Sequence, residues 1–261
     1  DISEPPYDYG AVISLSESEY PKYLAKIFKT RTGENLPLSK KLKVENGKLK
    51  VIYEIDKRRC KTFNQKIQWI KLYGVTELMR KCTDKVTVRD YVSEKIGEEY
   101  LKPVIQICDN FDQINFNSLP NSFVIKCNHG SKWHFIVKDK QAILQLSAVN
   151  QLIREKITNW LELDYSFLNG FEMNYLNIKP KIIIEELMRE DINNDGEKIQ
   201  VFCYNGQPKL VMKIYSKDEA CISVWDEKLN ITNDLFNFSE PKINIPADKN
   251  VQTAFELSKK F

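Results

Sequence analysis

The chain predicts an α+β fold. Three observations carry that reading: helix-like apolar spacings through the first hundred residues, short apolar runs bounded by turn residues from Val104 onward, and two Asn-Gly dipeptides set between strand-like runs. Helices and strands alternate and then give way to a run of hairpins, the pattern of an α+β architecture.

Residues 1–56 carry the fewest signals. Within them, residues 20–28 place Tyr23, Leu24, Ile27 and Phe28 on one helix face, and residues 44–55 read as a hairpin turning at Asn46-Gly47. A second helix runs through Phe63, Ile67, Ile70 and Leu72 and ends near Gly74. Asp84 is expected to cap a helix with an apolar face of Val88, Tyr91, Val92 and Ile96, stopped by Gly97. Residues 104–108 and 123–126 read as buried strands, and residues 135–137 are expected to pair with the latter across the 128–133 loop. Residues 141–163 form the longest expected helix, with Leu146, Val149, Ile153, Ile157, Trp160 and Leu161 along one face. Residues 182–186 follow Lys179-Pro180 as a strand. Residues 199–204 and 209–214 flank Asn205-Gly206-Gln207-Pro208 as a hairpin, and residues 222–225 add one strand more.

Composition narrows the function. A formal net charge of +3 supports neither a nucleic-acid-binding face nor a membrane-surface helix. The densest basic run, Lys57-Arg58-Arg59 with Lys61, reads as a solvated face. The six cysteines show no CxxC pair and no metal spacing, and several sit in apolar runs, which fits a reducing compartment. No apolar stretch approaches the roughly 20 residues of a bilayer span, and no signal peptide is visible. The expected location is cytoplasmic. The sequence does not begin with Met, so a trimmed chain is expected.

The candidate chemistry centres on two lysines. Lys126 ends an apolar strand, where a charge is costly unless it meets a partner, and a phosphate would be one. Lys85 gains weight only from its company. Directly after Lys126, Asn128, Gly130 and Ser131 form a small-residue loop able to bring backbone N–H groups to an anion. His129 in that loop is expected to touch phosphate or substrate, or else to make a structural hydrogen bond. With only His129 and His134 in the chain, a zinc site has no support. Glu185 and Glu186 end a strand whose backbone can meet an adenine edge, the alternative being a solvated strand end. Asp191, Asp195 and Glu197 follow in a polar loop, where a solvated turn is favoured over a ribose contact. GxSxG, P-loop and GxGxxG motifs are absent.

Taken in order, these pieces resemble the TupA-like branch of the ATP-grasp superfamily. The most specific stretches are Lys61-Thr62-Phe63-Asn64-Gln65-Lys66-Ile67-Gln68-Trp69, Ile96-Gly97-Glu98-Glu99-Tyr100-Leu101, the run from Phe123 to Ser131, Asn177-Ile178-Lys179-Pro180-Lys181 leading into the 182–186 strand, and Phe202-Cys203-Tyr204-Asn205-Gly206. The resemblance covers about three-quarters of the chain, from Lys61 on. It implies a nucleotide held between two α+β subdomains: a partly helical N-terminal region (1–82), a first ATP-grasp subdomain with the phosphate loop (83–184), and a second, incomplete one (185–261). It implies ATP and Mg²⁺ as cofactors, Lys85 and Lys126 on the ATP phosphates, Lys126 and His129 in the catalytic machinery, Asn128, Gly130 and Ser131 in a mobile phosphate-covering loop, and Glu185, Glu186, Leu187 and Met188 in the adenine hinge. The implied activity is ATP-dependent joining of an amino acid to a uronic-acid carboxylate of a surface polysaccharide or its nucleotide-sugar precursor, through an acylphosphate. A homo-oligomer is left open.

The chain also departs from that pattern. Gln200 stands where a lysine is usual, an arginine has no match near Tyr215-Ser216-Lys217-Asp218-Glu219, and the C-terminal carboxylates that would hold Mg²⁺ have no counterpart before Phe261. Two other readings therefore stand beside the ligase: a non-catalytic nucleotide- or glycan-binding ATP-grasp module, and a phosphotransferase acting on a sugar hydroxyl.

Overall fold

The computed structural model describes residues 15–45, 48–168, 170–188, 197–215, 221–235 and 241–261. The Asn46-Gly47 turn, Asp191, Asp195 and residues 216–219 lie outside them.

Helix α1, Tyr20–Thr32, buries Leu24, Ile27 and Phe28, and Gly33 closes it in the left-handed region at φ 73°. Strands β1, Leu38–Glu45, and β2, Lys48–Ile55, pair antiparallel from Leu38↔Ile55 to Glu45↔Lys48, so the ribbon is longer than expected. Only its base is buried: Ile55 joins Leu24, Phe28, Phe167, Phe171 and Met173 in one apolar cluster. Helix α2, Phe63–Tyr73, opens with a reciprocal capping box between Thr62 and Gln65. Helix α3, Glu77–Thr83, carries no earlier expectation.

Helix α4, Val88–Ile96, starts four residues after Asp84 and stops at Gly97. Asp84 does not cap it; its Oδ1 accepts from the Val86 N–H at 2.8 Å and from Asn128 Nδ2 at 2.9 Å. An aspartate bonding two residues ahead makes a turn, and this one holds Lys85 outside the helix.

The central sheet has order β3-β6-β4-β5, antiparallel throughout, from β3 (Val104–Cys108), β4 (Phe123–Cys127), β5 (His134–Val137) and β6 (Ile182–Glu186). One face, with Phe123, Ile125, Cys127, Ile182 and Ile184, packs on the helical layer. That layer is two helices rather than one: α5, Lys140–Gln145, and α6, Ser147–Glu162. Leu146 is extended, and its carbonyl accepts the Val149 and Asn150 N–H groups to start the second helix. Ile153, Ile157 and Trp160 are buried as expected, whereas Leu146 and Val149 are exposed. A short helix, α7, Tyr165–Leu168, follows and adds Phe167 to the N-terminal cluster. Strand β6 crosses the expected division at 184/185 and belongs whole to this sheet.

Strands β7 (Lys198–Tyr204), β8 (Gln207–Tyr215) and β9 (Cys221–Asp226) form a three-stranded meander. Its first turn has Asn205 and Gly206 at φ 51° and 72°, the left-handed pair that an Asn-Gly hairpin requires. Helix α8, Lys249–Ser258, packs Val251 and Phe255 against Val211 and Trp225. Lys213 is buried under that helix and held by Asp248 and Glu197, each at 2.5 Å. Burial opposes its charge, but the two carboxylates outweigh it and its pKa is raised. Glu197 is thus committed to Lys213 rather than to a solvated turn.

Asp248 caps α8 through the Val251 N–H at 2.9 Å, and the hydrogen bond from Lys213 helps hold its carboxyl below the usual range. A depressed carboxylate stabilises the fold above its unfolded pKa of about 4, and that stability is lost as pH falls through the folded value. We expect Asp248→Asn, which keeps the cap, to melt below wild type at neutral pH, with the gap closing as pH drops below about 4. Thermal melts across that range measure it, and a gap constant with pH contradicts the assignment.

Candidate active site

Strand alternation builds the site. Along β4, Phe123, Ile125 and Cys127 turn to the helical core, which sends Val124 and Lys126 to the other face. The antiparallel register puts Val124 opposite Glu185 and Lys126 opposite Ile183. Lys126 and Glu185 therefore share a face as diagonal neighbours, and they form an ion pair. Arg89, from the first turn of α4, stands 3.7 Å from the other Glu185 oxygen and donates to the Lys102 carbonyl at 2.7 Å. Glu185 is 6 % exposed, so its charge depends on these cations. The expected pair of carboxylates is split: Glu186 is on the opposite face and exposed, its N–H on the Pro103 carbonyl at 3.1 Å. Leu187 is buried and Met188 exposed where the strand ends.

The loop after β4 is anchored by Asn128, which is fully buried. Its Nδ2 donates to Asp84 at 2.9 Å and to the Lys179 carbonyl at 3.0 Å, and its Oδ1 accepts from the Lys181 N–H at 2.7 Å. Its own N–H donates to the Lys181 carbonyl at 3.0 Å. Such a position needs donor and acceptor on one short side chain, which asparagine supplies. The Lys85 N–H donates to the Asn128 carbonyl, and its ammonium reaches the carbonyls of Asn128, at 3.3 Å, and Gly130. The start of the loop is thus pinned, while Ser131 is exposed.

His129 sits beneath it. The residue is 3 % exposed, with Nδ1 3.1 Å from Asn128 Oδ1, Nε2 3.0 Å from the Trp160 carbonyl, and the ring edge-on to Trp133. Burial pushes its pKa down. Both ring nitrogens lie within hydrogen-bond distance of protein oxygens, the structural hydrogen bonding that was one of the two expectations for His129. Gly130 lies against Trp133: an added Cβ would run into three carbons of the indole.

Lys85 and Lys126 occupy one electropositive region. Burial lowers the Lys85 pKa and the charge of Lys126 lowers it further; His134, opposite Lys126 in the sheet, is lowered by burial and then by both lysines. Arg89, Lys85 and Lys126 set three cations against Glu185, a surplus of positive charge even after Asp84 is counted. A groove of about 550 Å³ lined by Arg80, Lys81, Asp84, Asp90 and Lys179 adjoins Asn128 from another side. It includes none of Lys85, Lys126 and Glu185, so the groove and the charged cluster are separate features.

Residues 65–261 match the family model described as TupA-like ATPgrasp. The chain belongs to the TupA-like ATP-grasp family. Membership makes it a ligase-type, ATP-binding protein, and ATP-grasp proteins generally use ATP and Mg²⁺. No curated protein and no solved structure matches it. Helix α1 and the β1–β2 ribbon precede the matched residues. Among the described residues, no helix is long and apolar enough to cross a membrane, and no group of three or more His, Cys, Asp or Glu side chains could hold a metal ion.

Three features of the charged cluster and its loop escaped the sequence: the Arg89–Glu185 pair, the inward turn of Glu185, and the Asp84–Asn128 bond. Arg89 gave no sequence signal: Lys85 lies in the turn before α4, so helical spacing does not relate the two.

Gly130→Ala tests the packing of the loop. Trp133 is itself buried, so the methyl must displace a packed ring. We expect a loss of about 1–3 kcal/mol in urea melts, the ordinary cost of overpacking. An unchanged midpoint means that the loop gives way freely.

Proposed function

We propose that this protein is an ATP-dependent carboxylate–amine ligase that joins an amino acid to a uronic-acid carboxylate of a surface polysaccharide or its precursor. The observation that carries the reading is the surplus cationic cluster of Lys85, Lys126 and Arg89 beside a pinned small-residue loop, in a chain of the TupA-like ATP-grasp family. A triphosphate is a ligand that such a surplus fits, and phosphoryl transfer needs positioning and offset charge more than covalent help from the protein.

In this reading Lys126 is held by Glu185 until the nucleotide arrives, and then shares its ammonium with phosphate oxygens. Arg89 remains to keep the buried Glu185 carboxylate neutralised. Lys85 holds the loop through its carbonyls and adds positive charge from behind. Asn128, Gly130 and Ser131 shape the covering loop, His129 fixes its underside, and Glu186, Leu187 and Met188 line the adenine edge where β6 ends. The γ-phosphoryl passes to the acceptor carboxylate, giving an acylphosphate and ADP. The amine then attacks the carbonyl carbon, and inorganic phosphate leaves as the amide forms.

A second reading is favoured by Gln200, which stands on β7 where a lysine is usual in the family: a nucleotide-binding ATP-grasp module without turnover. The two separate in one assay. The ligase releases ADP only when a uronic acid and an amino acid are both present. The module binds ATP and releases none, and carboxylate-independent phosphorylation of a sugar would point to a kinase instead.

We expect Lys126→Ala to weaken ATP binding by at least about tenfold, as loss of a charge-assisted phosphate contact does. Calorimetry with Mg²⁺ present reads the affinity, and the thermal midpoint shows whether Arg89 alone still sustains Glu185. Equal affinity in mutant and wild type removes Lys126 from the nucleotide site.

A further inference from the structure

The β1–β2 ribbon leaves the body of the protein with its apolar side uncovered. Its register pairs Leu42 with Val51 and Val44 with Leu49, which places all four on one face. They are 71 %, 45 %, 66 % and 72 % exposed, respectively. A two-stranded ribbon is marginal in water on its own, and a contiguous exposed apolar patch marks an interaction site. We infer that this ribbon is a membrane-surface anchor that lays Leu42, Val44, Leu49 and Val51 into the interface of an anionic lipid bilayer.

Two features argue for lipid over a protein partner. The first is charge. Residues 38–55 hold five lysines against two glutamates, a formal +3 that equals the net charge of the whole chain, so the rest sums to zero. The positive charge lies on the same ribbon as the bare aliphatic side chains: Lys40 shares their face, and Lys41, Lys43, Lys48 and Lys50 line the other, where Lys41 pairs with Glu54. An anionic headgroup layer is favoured by about fivefold in partition for each lysine near it.

The second is the order of side chains along the face. From the far end come Val44/Leu49, then Leu42/Val51, then Lys40/Tyr53, and last Leu38/Ile55, where Ile55 is in the protein core. Lys40 and Lys22 both lie over the Tyr53 ring, at 5.9 and 5.4 Å from its centroid. An aliphatic end, then an aromatic–lysine belt, then protein is the sequence of layers met on entering a bilayer interface. At 3.3 Å per residue the two aliphatic pairs span about 7 Å, within the 5–10 Å to which interfacial elements sink. Lysines on the far face, such as Lys43, can extend their stems and keep their ammonium groups among headgroups.

The proposal is tested by co-sedimentation of the full chain with vesicles of phosphatidylglycerol mixed into phosphatidylcholine, beside vesicles of phosphatidylcholine alone. The wild type is expected to pellet with the anionic vesicles and to be released by raised salt. Leu42→Asp with Leu49→Asp is expected to weaken the association at least about tenfold while ATP binding and the melting temperature hold. Should that variant fail to fold, Lys43→Gln with Lys48→Gln, which leaves the aliphatic face intact, is expected to weaken binding to the anionic vesicles alone. A wild type that stays in the supernatant overturns the proposal. So does equal pelleting of wild type and variants, which would place lipid binding elsewhere. A dimer in sedimentation velocity, lost in the Leu42/Leu49 variant and indifferent to lipid, overturns it in favour of a second copy.

Discussion

The site rests on one buried amide. Asn128 ties the end of β4 to the segment entering β6 through Lys179 and Lys181, and to the turn before α4 through Asp84. Three stretches far apart in sequence are thereby fixed to within a hydrogen bond of one another. Each polar atom of the side chain has a partner, so burial carries no unsatisfied group, and loss of any one partner would leave a costly orphan. The placement of Lys85 follows from it, because both the N–H and the ammonium of Lys85 close on carbonyls that Asn128 holds in position.

The charged face depends on a second constraint, the period of a strand. Because alternate residues face opposite ways, one placement of β4 against β6 puts Lys126 and Glu185 together and sends Glu186 away. Arg89 makes the arrangement durable. A buried carboxylate with one cation would be stranded whenever that cation turned to a phosphate, and two cations allow one to leave. The same logic recurs in mirror form at Lys213, where a buried ammonium is shared by two half-exposed carboxylates.

Much of this was legible in the residues. The strands at β3, β4, β5 and β6, the Asn205-Gly206 turn and the stop at Gly97 follow from local chemistry that tertiary packing does not override. The mixed helix-and-sheet architecture and the family follow as well. What escaped was set by contacts distant in sequence. Asp84 looks like a helix cap because its alternative partner, Asn128, is 44 residues away. The apolar face through Leu146 reads as one helix because period alone does not register a single extended residue. Glu185 and Glu186 look equivalent until a register separates them. Helix α8 was legible and went unread: Asp248 offers a cap, and Val251, Ala254 and Phe255 stand at helical spacing behind it.

Cys127 lies under the loop, fully buried and raised to about 12 by that burial. A thiol so far from ionising is a poor nucleophile and is closed to electrophiles and oxidants, unlike Cys203, which is exposed. The floor of the loop is therefore inert to redox change. The most accessible thiol is Cys203 on β7, with Cys82 and Cys221 half-buried.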